Sequence, residues 1–167
     1  IRSGKEDPRQ GAETCTMVEF MASFESLLKI TGEAVWADRA EEVAFNSLPA
    51  SMTPDLKGLH YLTAPNLISC DSTGEHDFQN SGTLVSFDPW SYRCCQHNVA
   101  FGWPYFAEHL WLATADNGLA AVLYAPSTVK AKVAEGAEVA VSEETFYPFD
   151  DQIQFTVSCD RPVEFPL

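Results

Sequence analysis

The period of the apolar residues changes at Asp116-Asn117-Gly118, and this change limits the fold more than any other feature of the sequence. Before it, apolar side chains recur every three to four residues, as on one face of a helix. After it, they alternate, as on one face of a strand. A chain with this pattern is neither a uniform bundle nor a single sheet. The reading is mixed α and β in separate parts, with a boundary near Asn117 dividing residues 1–116 from 117–167.

Three helical stripes are visible in the first part. Met17, Phe20, Met21, Phe24, Leu27 and Leu28 predict a helix from about Ala12 to Thr31-Gly32, where glycine supplies the stop. Trp36, Ala40, Val43, Ala44 and Leu48 predict a second, from near Glu33 to Pro49. The link between them is so short that they must be antiparallel neighbours, the unit from which helical bundles and toroids are built. Val99, Trp103, Phe106, Leu110 and Ala113 form the third stripe, with Pro104 inside it predicted to kink or restart the helix. Phe101, Trp103, Tyr105, Phe106 and Trp111 resemble a stacking platform for a sugar, but helical spacing makes core packing the better reading for most of them. Between Met52 and Trp90 the pattern breaks up, with Leu59–Leu62 a strand or extended crossing and Thr73–Gly82 polar and turn-rich. The last part reads as short antiparallel strands around Leu119–Tyr124, Val129–Val133, Val139–Val141 and Ile153–Val157, as in a β-sandwich.

The formal net charge of −14 argues against nucleic acid and anionic membranes as partners, because both require basic patches. No apolar run is long enough to span a bilayer, and the first residues do not read as a secretory leader. The chain begins at Ile1 without methionine and ends just after a strand-like pattern, so it is expected to be a piece of a longer polypeptide. Its five cysteines, Cys15, Cys70, Cys94, Cys95 and Cys159, are odd in number and irregularly spaced. That is a poor disulfide framework, favouring reduced or metal-held thiols.

Cys15 and the Cys94-Cys95 pair lie far apart in sequence, and Glu13 stands two residues before Cys15. Three thiols and a carboxylate are a donor set suited to tetrahedral zinc, provided folding assembles them. The spacing matches no zinc-finger pattern. Glu13 and Cys15 would diverge on a regular helix but converge in an extended segment or a first helical turn. Adjacent Cys94 and Cys95 are expected to share an ion only on irregular backbone. Three readings stay open on spacing alone: an open catalytic zinc site, a closed structural one, and cysteines packed as small apolar residues.

The combination of Gly11-Ala12-Glu13-Thr14-Cys15 with Cys94-Cys95, followed by strands, resembles glycoside hydrolase family 127, the bacterial β-L-arabinofuranosidase-like enzymes. The likeness extends through Ala37-Asp38-Arg39, Phe45-Asn46 and Phe146-Tyr147-Pro148-Phe149. It implies the later helices of an (α/α)6 barrel followed by the start of a β-sandwich. It further implies that Glu13, Cys15, Cys94 and Cys95 bind zinc, that Cys94 is the nucleophile of a retaining hydrolysis, and that Tyr61 contacts the substrate. His97 follows the pair, where some members carry a histidine two residues before the nucleophile; it is a second candidate for substrate binding. The family's general acid/base glutamate would fall just before Ile1, and neither Glu6 nor Asp7 matches it, so these residues alone are expected to be inactive. The implied partner is a carbohydrate, in the cytoplasm or periplasm of a bacterium.

Other titratable residues read as background. His60 could line a cleft or lie on the surface, while His76 and His109 receive no role. Glu41-Glu42, Glu143-Glu144 and Asp150-Asp151 read as solvated faces. Cys70 and Cys159 read as buried and inert. The alternative to a hydrolase is a non-catalytic carbohydrate-binding or structural protein with a closed zinc site.

Overall fold

The computed structural model describes residues 11–63, 84–86 and 93–167. Helix α1 spans Thr14–Thr31 and ends at Gly32, whose φ of 69° lets its N–H reach back to the Leu28 carbonyl. Helix α2 spans Val35–Glu42, passes through one wide π turn at Val43–Ser47, and finishes as α3, Leu48–Ala50. Helix α4 spans Arg93–Glu108. α1 is the hub, touching both α2 and α4. Val18, Met21, Leu28, Ala40, Ala44, Leu48, Val99 and Phe106 form one buried core between them.

Two local features set how closely these helices approach. In the π turn the Leu48 N–H bonds the Val43 carbonyl, one residue beyond the usual partner. The next donor in that register would be Pro49, which has no N–H, so the Ala44 carbonyl instead accepts from the Trp103 indole at 3.4 Å. The second feature is Gly102 on α4. A Cβ there would stand 2.7 Å from Leu48 Cδ2 and 3.4 Å from Val18 Cγ2, so glycine permits the close contact of α4 with α1 and α3.

Short strands brace the helices. β1 (Ala12–Glu13) pairs antiparallel with β3 (Leu62–Thr63), and β2 (Gly58–His60) with β4 (Leu84–Ser86). β5 (Trp111–Ala113) and β6 (Leu119–Ala121) form a hairpin around Asn117, whose φ is 61°. β7 (Ser127–Val133), β8 (Ala137–Thr145) and β9 (Ile153–Cys159) form an antiparallel sheet in sequence order. Leu119, Val133, Val139 and Val141 make a second core, with Trp111 packed against both cores. The sheet is tied to α2 by Tyr147, which donates to Glu41 at 2.5 Å and sets its ring edge-on to Phe45.

Several expectations require correction. The third stripe does not stay helical to Ala113: α4 stops at Glu108, and Trp111–Ala113 is a strand because it pairs with β6. Pro104 lies inside α4 without ending it. The second helical segment ends at Ala50, one residue past the expected stop at Pro49, after passing through the π turn. Of the five aromatics, Phe106 is core and Tyr105 and Trp111 pack against it, as expected for most of them, while Phe101 and Trp103 are exposed. Glu143 is buried rather than solvated, and Cys159 is exposed rather than buried. His76, Cys70, Glu6, Asp7 and the segment 73–82 lie outside the described residues. Among the described residues, no helix is long and apolar enough to cross a membrane.

Candidate metal centre

The site forms where two helices begin. Glu13 is the last residue of β1 and the residue before α1, and Cys15 is in the first turn of α1. Cys94 and Cys95 are in the first turn of α4. Because α1 and α4 pack side by side with both starts at the cluster, their positive ends meet there. A helix N-terminus carries roughly half a positive charge and lowers the cost of a nearby anion.

One ligand atom from each of Glu13, Cys15, Cys94 and Cys95 lies within 4.8 Å of every other. Cys15 Sγ is 3.3 Å from Cys95 Sγ, and Cys94 Sγ is 4.0 Å from Cys95 Sγ. Glu13 Oε1 is 3.6 Å from both Cys94 Sγ and Cys95 Sγ. Tetrahedral zinc with Zn–S bonds of about 2.3 Å would hold its sulfurs roughly 3.8 Å apart. The separations of 3.3 and 4.0 Å bracket that value, so the donor set fits a metal ion in both chemistry and spacing. The cysteine pair does not need irregular backbone to achieve this. Side chains lean toward a helix N-terminus, so two consecutive first-turn cysteines can both project past the helix end.

Burial pushes the Cys95 thiol up to about 11, with the neighbouring Cys94 adding to it, and pushes Cys15 up further. Burial thus favours the protonated thiols of Cys15 and Cys95, and a bound cation would favour their thiolates. Burial also raises the Tyr61 phenol, helped by the Glu13 carboxylate that its hydroxyl meets. The four groups differ in access. Cys95 is buried, Glu13 and Cys15 are half-buried, and Cys94 is exposed.

The structure thus brings together Glu13, Cys15, Cys94 and Cys95, and sets Tyr61 beside Glu13. His97 is exposed on α4 and is not one of the four converging residues. His60 is fully buried, with its backbone N–H on the Ser51 carbonyl at 2.8 Å. Sequence reasoning missed Thr14, which is buried between the two arm ligands and donates to the His60 carbonyl at 2.7 Å. It also missed the buried pair of Glu25 and His109, with His109 Nδ1 3.1 Å from Glu25 Oε2. Glu25 was legible in principle: it stands four residues after Met21 and three before Leu28, on the apolar face.

A comparison with curated proteins gives no match. Among solved structures, the chain is similar to a GH127 β-L-arabinofuranosidase from Geobacillus stearothermophilus T6, with a TM-score of 0.75 and 25% identity over 90% of this chain and 23% of that one. A GH127 β-arabinofuranosidase matches at TM-score 0.69 and 19% identity, over 89% of this chain and 21% of that one. A further glycoside hydrolase matches at TM-score 0.67 and 20% identity, over 88% and 23%. The chain therefore spans less than a quarter of the length of these relatives. Residues 2–108, which hold the whole cluster, match the profile described as β-L-arabinofuranosidase, GH127 catalytic domain. Matching over more than half its length, the chain belongs to the GH127 β-L-arabinofuranosidase family.

Proposed function

We propose that this chain carries the nucleophile and the zinc site of a retaining glycoside hydrolase acting on β-L-arabinofuranosides or related sugars. The observation that carries the proposal is the unequal access to the cluster: Glu13, Cys15 and Cys95 are wholly or partly withdrawn, while Cys94 is an exposed residue. A structural zinc site is closed on all sides, whereas a catalytic one leaves a position or ligand open to substrate.

Zinc, when bound, would keep the cysteines as thiolates near neutral pH. Cys94 then attacks the anomeric carbon, the glycosidic C–O bond breaks, and a general acid protonates the departing oxygen. The resulting thioglycoside is hydrolysed by water, which returns Cys94 as thiolate and retains the anomeric configuration. Cys95 and Cys15, at the starts of their helices, hold the geometry from the protein side, with Glu13 balancing charge. Tyr61, next to Glu13, and His97, three residues after Cys94 and hence on the same side of α4, are the proposed sugar contacts. The parts of the reading that concern architecture follow the same resemblance: residues 1–116 belong to an (α/α)6 barrel and 117–167 begin a β-sandwich. The 167 residues alone are expected to be inactive, the general acid lying on another segment.

The test is hydrolysis of an aryl β-L-arabinofuranoside by the full-length polypeptide. Cys94→Ser should lower kcat by at least about 10³-fold while zinc remains bound. Undiminished turnover by C94S, or inversion of the product configuration, would reject the mechanism.

A further inference from the structure

Thr14 occupies an unusual position for a buried hydroxyl. It is the first residue of α1, one position past the N-cap residue Glu13, and no side chain caps this helix. The Thr14 Oγ1 instead donates outward to the His60 carbonyl at 2.7 Å, and its backbone N–H bonds the next carbonyl, that of Tyr61, at 3.2 Å. Successive carbonyls of a straight strand point to opposite sides. Both reach Thr14 because the strand is interrupted at Tyr61, between β2 and β3. The same segment pairs with the ligand arm through Ala12 opposite Thr63 and Glu13 opposite Leu62. Thr14 is fully buried, so water cannot replace its hydroxyl.

We propose that Thr14 is a positioning residue of the metal centre, fixing Glu13 and Cys15 against the bend at His60-Tyr61 so that they meet Cys94 and Cys95 at ligand spacing. The inference rests on the zinc reading above. Thr14 lies between two of the converging residues in sequence and is not itself one of the four. Its effect is on the arm: without the hydroxyl, the arm keeps only its backbone pairing, and Cys15 loses the restraint that sets it 3.3 Å from Cys95. Groups that orient metal ligands typically change metal affinity by about 10- to 100-fold when removed.

The test compares Thr14→Val, which keeps shape and branching but loses the donor, with Thr14→Ser, which keeps the donor. Zinc affinity is measured in the full-length protein by competition with a chromophoric chelator. T14V should bind zinc about 10- to 100-fold more weakly, and T14S within about threefold of the parent. At saturating cobalt(II), the ligand-field bands of T14V should be displaced and those of T14S should not; a variant that is only less stable would keep the parent spectrum. If T14V fails to fold by circular dichroism, Thr14→Ala takes its place against T14S with the same expectation. Equal zinc affinity and unchanged cobalt bands in the donor-less variant overturn the positioning role alone. If the parent itself binds zinc no better than a Cys94→Ser, Cys95→Ser double variant, the zinc reading falls and this inference with it.

Discussion

At the scale of single residues, the molecule separates two kinds of buried polar group. Those at the cluster have partners or a cation to gain; Glu25 has neither in good measure. Its side chain is fully buried, and the His109 nitrogen 3.1 Å away also serves the Tyr105 carbonyl at 2.7 Å. Burial pushes the Glu25 carboxyl up to about 7. A carboxyl raised in the folded state favours folding below its unfolded value, near 4.5, and that contribution is lost as pH rises through 7. Stability should therefore fall between pH 5 and 8, by an amount on the order of 3 kcal/mol, and Glu25→Gln should flatten the dependence. Denaturant unfolding across that range checks this; a parent and variant with parallel pH profiles would contradict it. The membership of the cluster was legible, since Glu13, Cys15, Cys94 and Cys95 converge in the fold. Thr14 was not, because nothing in a threonine before a cysteine announces a hydrogen bond to a strand 46 residues away. Glu143 was hidden by its acidic neighbour, although its place two residues after Val141 puts it on the inward face of β8.

At the scale of elements, the site depends on how closely α1 and α4 run. Gly102 is a point of close approach, where a side chain would press on Leu48 and meet Val18. Gly102→Val should cost about 1–3 kcal/mol through overpacking, beyond any change in helix propensity, and should weaken zinc binding by moving the cysteine pair away from the arm. Thermal unfolding together with chelator competition tests both effects; a stable variant with unchanged zinc affinity would show that the helix spacing does not set the site. The apolar periods revealed where the helices lie but not where each one ends. Leu110 and Ala113 continue the α4 stripe, yet the Leu110 carbonyl accepts from Val122, and Trp111–Ala113 pairs with Leu119–Ala121. Tertiary pairing overrides a local period here, and no local signal records it. At Cys94-Cys95 a regular helix suffices where the sequence suggests irregular backbone: adjacent side chains diverge within a helix, but in a first turn both lean past the helix end.

At the scale of the whole molecule, a helical core and a sheet core meet through a few contacts centred on Trp111 and Tyr147. The Trp111 indole donates to Ser127 at 3.0 Å, and Ser127 stands 3.4 Å from the buried Glu143 carboxylate. Tyr147 closes the other side through Glu41, which burial holds above the usual carboxylate range. Tyr147→Phe should cost about 1 kcal/mol, the net value of one hydrogen bond, without altering zinc affinity. The change of period at Asp116–Gly118 falls at the turn of the hairpin β5–β6. The central claim concerns the cluster at the two helix starts, and zinc K-edge X-ray absorption on the purified full-length protein tests it most directly. The account predicts one zinc per chain with three sulfur neighbours at about 2.3 Å and one oxygen near 2.0–2.2 Å, one sulfur being lost in Cys94→Ala. A protein that retains no zinc, or zinc surrounded only by nitrogen and oxygen, would contradict it.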